Sequence, residues 1–183
     1  INPLPSITTQ PIATQNGCVG VAISAITVSF TGGTGTAFYQ WFSNTVNSNS
    51  GGTLIPGATN PTYTPPVFTN PGNYYYYVII NLNGNGCGTT TSAVAEVDIF
   101  NDPIILSQPI PTQTLCQNAT PNDLTVEVSG GVGSSYNYQW YSNTNNNTTS
   151  GTPISGATNP TFIPQTSTVG TMYYYTIVTQ TTP

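Results

Sequence analysis

The sequence contains no lysine, no arginine and no histidine, and only five acidic residues among its 183. Nucleic-acid and anionic-lipid partners are excluded by that absence, because both are held by Lys and Arg against phosphate charge. Without His or Lys no ordinary general base works near neutral pH, and a Ser or Thr hydroxyl has no neighbour to activate it, so hydrolase triads are excluded too. An enzyme would have to rest on an acidic dyad, and no motif supports one; no cofactor is implied. Lys–Asn isopeptide staples cannot form, and trypsin-like proteases find no residue to cleave after. No stretch approaches the roughly 20 apolar residues of a membrane-spanning helix, and no signal-peptide pattern is present. The first residue is Ile1 rather than Met, as expected of a processed product or a window of a longer protein. Frequent aromatics and low net charge argue against disorder and for a secreted β-protein.

The rarest residues reveal a repeat. Trp41 recurs as Trp140, 99 residues on, and Gly57-Ala58-Thr59-Asn60-Pro61-Thr62 recurs as Gly156-Ala157-Thr158-Asn159-Pro160-Thr161 at the same spacing. Tyr74-Tyr75-Tyr76 aligns with Tyr173-Tyr174-Tyr175 at 99 as well, while Gln10-Pro11 matches Gln108-Pro109 and Cys18 matches Cys116 at 98, as one inserted loop residue would produce. A period near 100 is too long for a solenoid unit and fits an independently folding domain that buries its own core. Two domains are expected, 1–101 and 102–183.

Within each copy the apolar residues alternate. Ile26, Val28 and Phe30 are interleaved with Thr27 and Ser29; Leu124, Val126 and Val128 are interleaved with Thr125 and Glu127. This period of two marks half-buried strands. Glycine turns follow (Gly32-Gly33-Thr34-Gly35 and Gly130-Gly131-Val132-Gly133), and then the strands bearing Trp41 and Trp140. A Tyr-rich run from Tyr74 to Ile80 and a last element, Ala95-Glu96-Val97-Asp98-Ile99, complete the first copy. Nothing has helical period, and the recurrent turns suit a sandwich.

The placement of Trp41, the tyrosine run and the final alternating strand resembles the immunoglobulin fold, with the usual inter-sheet cysteine pair missing. The fold class expected is all-β: two tandem immunoglobulin-like β-sandwiches, the second lacking its own C-terminal G strand. The repeated wording (Cys18-Val19-Gly20, Tyr-Gln-Trp-[Phe/Tyr]-Ser-Asn, Ile-x-Gly-Ala-Thr-Asn-Pro-Thr, Gly86-Cys87) resembles Ig-like repeats of very large secreted surface proteins of Bacteroidota. That resemblance implies an extracellular structural subunit of a filament or surface stalk, with other copies of itself as partners. The alternative is a carbohydrate- or surface-binding adhesin module, in which exposed tyrosines stack on sugars; strand tyrosines are more often core and sheet-face residues.

At a spacing of 99, Pro183 corresponds to Gly84, so the equivalent of residues 85–100 is missing from the second copy. A sandwich without its last strand exposes unpaired backbone and a slot over its core. Either the chain is a segment of a longer array that supplies the strand, or another subunit donates one, giving head-to-tail filaments. The candidate donor is residues 1–10, with Ile1, Leu4 and Ile7 as its apolar side chains; Pro3 and Pro5 suit only an edge strand.

Three cysteines leave one over after a single disulfide. A Cys18–Cys87 bridge is the simplest pairing. In an immunoglobulin-like sandwich, however, those positions lie at opposite ends, about 30 Å apart at about 3.3 Å per strand residue, whereas a disulfide needs Cα atoms within about 7 Å. The alternatives are Cys116 meeting Cys87 of a neighbouring subunit, with Cys18 awaiting the missing strand, or free thiols. Glu96, Asp98 and Asp102 gather near the domain junction, where tandem modules can hold calcium. Glu96 and Asp98 are outward strand positions and calcium takes about six or more oxygens, so no metal site is assigned. Asn118, Asn146 and Asn147 begin N-glycan sequons, and covalent glycans would help so uncharged a surface stay soluble.

Overall fold

The computed structural model describes residues 3–84, 88–133 and 135–180, and every regular element among them is a strand. The chain divides into two compact units, Ile1–Asn101 and Asp102–Pro183.

The first unit runs β1 (Ser6–Thr9), β2 (Thr14–Cys18), β3 (Ile26–Thr27), β4 (Ser29–Thr31), β5 (Ala37–Asn44), β6 (Thr53–Leu54), β7 (Thr62–Tyr63), β8 (Gly72–Leu82), β9 (Thr89–Thr91) and β10 (Ala95–Phe100). One layer is the sheet β2-β10-β8-β5-β6, with β9 also on β8; the other is made by the pairs β1-β4 and β3-β7. The polypeptide changes layers between β1 and β2 at Gln10-Pro11: β1 runs antiparallel to β4, and β2 then runs parallel to β10, Thr14 opposite Glu96 through Cys18 opposite Phe100. Between the layers lie Ile26, Val28, Trp41, Tyr76, Val78, Ile80, Ala95, Val97 and Ile99. The alternation read from the sequence is the alternation that is buried, down to the strict in-out pattern of β10.

The Gly-Ala-Thr-Asn-Pro-Thr motif closes over the tryptophan. Trp41 N donates to Ala58 O and Trp41 Nε1 to Asn60 O (3.0 and 2.8 Å), and Ile55 N donates to Trp41 O. Tyr63 at the motif's end stacks on the indole, with centroids 5.8 Å apart. Gln40 Nε2 holds the motif's entry through Ile55 O at 2.8 Å. The second unit repeats each of these bonds around Trp140, through Ala157 O, Asn159 O and Ile154, and Gln139 takes the part of Gln40. The repeated motif is therefore a latch on the core tryptophan, which explains its recurrence without a ligand.

Tyr74 Oη donates to Asn70 O at 3.0 Å, the bond of a tyrosine corner at the start of β8.

The second unit runs β11 (Ile104–Ser107), β12 (Leu124–Thr125), β13 (Glu127–Ser129), β14 (Asn137–Asn143), β15 (Thr152–Pro153), β16 (Thr161–Phe162) and β17 (Tyr173–Thr179). One layer is β15-β14-β17; the other holds the pairs β11-β13 and β12-β16. Its core is Leu124, Val126 and Trp140.

Strand register corrects the tyrosine alignment. Tyr77 lies opposite Phe42 and Tyr175 opposite Tyr141, a spacing of 98 rather than 99. Tyr76 tilts on Tyr63 as Tyr174 tilts on Phe162, both at 5.4 Å and 47°. Met172 therefore stands where the first unit has Tyr74. Among the described residues the second unit shows no tyrosine corner, and continuing this spacing along the sequence matches Pro183 with Asn85 rather than Gly84.

The candidate donor segment is also corrected in part. Ile7 lies in β1, opposite Phe30, and packs against the core of its own unit. Pro3 O accepts a hydrogen bond from Gly33 N at 2.8 Å. Leu4 is exposed, and Ile1 lies outside the described residues. Donation of residues 1–10 would first require β1 to leave β4.

Candidate functional site

The most distinctive surface is the free edge of β17. In the first unit β8 has β5 on one side and β9 and β10 on the other; β17 is paired with β14 alone among the described residues. The inward positions record the difference: Tyr76, Val78 and Ile80 are buried, whereas Tyr174, Thr176 and Val178 are only half-buried. Ala95, Val97 and Ile99, which close the first core, have no counterpart among the described residues of the second. Residues 112–116, equivalent to β2, form no strand.

At the far end of this edge Gln180 stands where the first unit has Leu82. Val132 N donates to its Oε1 at 2.7 Å, and its Nε2 donates to Gly133 O and Ser135 O at 3.3 Å. The glycine turn is thereby tied to the residue that follows β17.

The other expected sites are placed as follows. Cys18 is buried at the end of β2, Cys116 is exposed and makes no disulfide among the described residues, and Cys87 lies outside them. Asn118 and Asn146 are exposed. Asn147 is exposed but its Oδ1 accepts from Asn143 Nδ2 (2.9 Å), Thr149 N and Ser150 N (both 3.2 Å) and Ser150 Oγ (3.0 Å), so this side chain organises its own loop.

Glu96 and Asp98 project from β10 on the outer face, and Asn73 Nδ2 reaches both, at 3.2 and 2.6 Å. Asp98 is held above the usual carboxylate range by desolvation first and then by the charge and hydrogen bond of Glu96, partly offset by Asn73. Among the described residues no group of three or more His, Cys, Asp or Glu side chains is placed to hold a metal ion. The tyrosines are largely committed: Gly52 N donates to Tyr77 Oη and Gly151 N to Tyr175 Oη (both 3.1 Å), and these rings stack on Phe42 and Tyr141 at 5.1 and 5.0 Å.

The sequence reading missed Gln10. Its Oε1 accepts from Ala93 N at 2.8 Å, fastening the crossing between layers to the last strand. The signal was present in the repeated Gln-Pro pair, but its partner, a backbone N–H 83 residues away, carries no sequence signature.

Among solved structures, the chain is similar to the three N-terminal domains of the bacteriophage RB49 Highly Immunogenic Outer Capsid protein, at 16% identity and TM-score 0.52 over 88% of this chain and 51% of that one. It is also similar to the I-band fragment I67-I69 from titin (15% identity, TM-score 0.49, 97% of this chain and 56% of that one). DIP-gamma IG1+IG2 is a further match (12% identity, TM-score 0.47, 99% and 92%). The chain spans about half the length of the first two. At 16% identity the likeness to the capsid protein's domains bears on the fold alone, in keeping with the two β-sandwiches described above. None of the curated proteins matches the chain. The family described as "Domain of unknown function (DUF8696)" matches twice, at residues 8–101 and 109–183, one copy to each sandwich, and the chain belongs to that family.

Proposed function

We propose that the chain is a structural segment of an extracellular filament or surface stalk, in which the second sandwich takes its last strand from the neighbouring unit. The observation that supports this most directly is the free edge of β17, with its half-buried inward side chains beside a first sandwich whose equivalent edge is filled. A bare edge of this kind is a template for strand addition, and joining by an inserted strand is heterologous, so it continues rather than closes. The absence of Lys, Arg and His favours a passive, protease-resistant role over a catalytic one. The adhesin alternative is weakened by the engagement of tyrosine rings and hydroxyls within the fold.

Electron microscopy of the native assembled material tests this. Rods with an axial repeat of two immunoglobulin-like domains are expected. Native protein recovered as free, unassembled two-domain particles would overturn the proposal, and specific sugar binding by such a particle on a carbohydrate array would replace it with the adhesin reading.

A further inference from the structure

We infer that the loop between β14 and β15 is a site of N-linked glycosylation on the folded protein, that its acceptor is Asn146 and not Asn147, and that the donor is a lipid-diphosphate-linked oligosaccharide. The inference stands apart from the filament proposal, since it concerns only loop residues of the second sandwich.

Sequons occur only in the second sandwich; Asn60 and Asn159 also have a threonine two residues on, but each precedes a proline. At the spacing of the tryptophans, Asn146-Asn147-Thr148 stands where the first sandwich has Asn47-Ser48-Asn49. The exchange of Asn49 for a threonine is what makes Asn146 an acceptor. In the first sandwich Asn49 serves the fold, since its Nδ2 donates to Ser92 O at 2.9 Å. Thr148 is exposed, and its hydroxyl makes no hydrogen bond among the described residues. The asparagine of the third sequon, Asn118, is accounted for by its turn: it holds the left-handed place of Gly20, φ 64° against 81°, which asparagine tolerates.

The two loops share one frame, and the frame separates the structural residue from the spare one. Asn44 Nδ2 donates to Ser48 O at 3.0 Å, and Asn143 Nδ2 donates to Asn147 O at 3.3 Å. Ser48 N donates to Val46 O at 2.7 Å, and Asn147 N donates to Asn145 O at 2.8 Å. Ser48 Oγ accepts from Ser50 N at 3.3 Å, and Asn147 Oδ1 takes that part with its bonds from Asn143 Nδ2, Thr149 N, Ser150 N and Ser150 Oγ. The side chain at this position ties the loop in both sandwiches. Asn47 and Asn146, one residue earlier, are exposed, and neither side chain makes a hydrogen bond among the described residues.

In the transfer, Asn146 Nδ2 attacks the anomeric carbon of the first sugar and the C–N bond forms. The bond from that carbon to the diphosphate breaks, the lipid diphosphate leaves with the electron pair, and the proton of the nitrogen passes to a base of the transferase. The enzyme has to take hold of the acceptor amide and of the hydroxyl two residues on, which is why the sequon pairs an asparagine with a serine or threonine. Asn146 and Thr148 offer both groups with no side-chain bond to give up. Asn147 can offer its amide only by releasing the four donors that order the loop. A glycan on Asn146 leaves that frame intact and adds a hydrated, uncharged cover to a surface without cations.

The intact 183-residue chain is incubated with a lipid-linked oligosaccharide and an oligosaccharyltransferase that reads only the three-residue sequon, beside a synthetic peptide of residues 141–152 as the unfolded reference. Enzymatic release of the glycan in heavy-oxygen water marks each modified asparagine as a labelled aspartate, which mass spectrometry of peptic fragments locates. In the folded chain, transfer to Asn146 is expected to be about tenfold or more faster than to Asn147, because bonds to the Asn147 amide must first be broken. In the peptide, both asparagines should be modified at similar rates. Thr148→Ala removes the Asn146 sequon and keeps that of Asn147, and should all but abolish transfer to this loop of the folded chain. Thr149→Ala removes only the Asn147 sequon and should leave transfer unchanged. Comparable transfer to Asn147 in the folded chain would overturn the inference, as would a Thr148→Ala chain still modified there. A peptide with the same preference as the folded chain, or a folded chain unmodified at Asn146 where the peptide is modified, would overturn it as well.

Discussion

Each sandwich carries one tryptophan, fully buried and held by the same latch, so Trp41→Phe and Trp140→Phe form a matched pair of perturbations. Phenylalanine keeps the ring contact with Tyr63 or Phe162 but removes the indole donor from Asn60 O or Asn159 O. Leaving a partly buried carbonyl without its donor costs about 1–2 kcal/mol. Losing about 40 Å³ of side chain at about 24 cal/mol per Å³ adds about 1 kcal/mol. The sum, about 2–3 kcal/mol, corresponds to a fall of about 10–20 °C in the melting temperature of a domain this size. In each variant the surviving tryptophan reports by fluorescence on the untouched domain, while near-ultraviolet circular dichroism of the tyrosines follows the altered one. Trp41→Phe should lower the first transition by that amount and leave Trp140 fluorescence unmoved. Trp140→Phe acts on a core that among the described residues is the smaller of the two, Leu124, Val126 and Trp140, so it should lower the second transition by at least as much. A loss below about 1 kcal/mol in the first domain would refute the latch as a source of stability.

Tyr74→Phe should destabilise the first domain by about 1 kcal/mol in urea unfolding, through loss of the Asn70 bond, whereas Met172→Leu at the equivalent place should change the second domain little. Trypsin should leave the chain intact even in urea, since it has no Lys or Arg, while pepsin cuts the unfolded form; a discrete tryptic fragment would contradict this. Asp98 has its folded pKa raised, so its contribution is fully present below the ordinary aspartate value and fades as pH rises through the folded one. The first domain should therefore lose some stability across that acidic window, and Asp98→Asn should flatten the dependence in melts recorded from pH 3 to 6.

The tandem repeat, the core tryptophans and the alternating strands were legible because each is local: a period of two, a glycine turn and a rare aromatic need no partner to be recognised. Three things were not. Four tyrosines in one copy and three in the other hide a one-residue deletion, since a tyrosine meets a tyrosine in either alignment, and only pairing with Phe42 and Tyr141 fixes it. β9 went unread because Ser92, whose buried hydroxyl accepts a hydrogen bond from Val78 N, interrupts the alternation that begins again at Ala95. Residues 1–10 looked like a spare strand because alternation shows that a face is apolar without saying whose core it meets; Ile7 meets its own. The same gap hid the role of Gln10, which is defined wholly by a distant backbone group.

The parallel pairing of β2 with β10 has a mechanical consequence. Tension along the polypeptide pulls β2 from its N-terminal end and β10 from its C-terminal end, in opposite directions along a shared seam from Thr14–Glu96 to Cys18–Phe100. The bonds of that seam are stretched together, so they yield together at high force instead of unzipping one by one. Among the described residues of the second sandwich no strand lies beside residues 112–116. On the filament proposal above, a strand added beside residues 112–116 would give the second sandwich the same resistance to being drawn out.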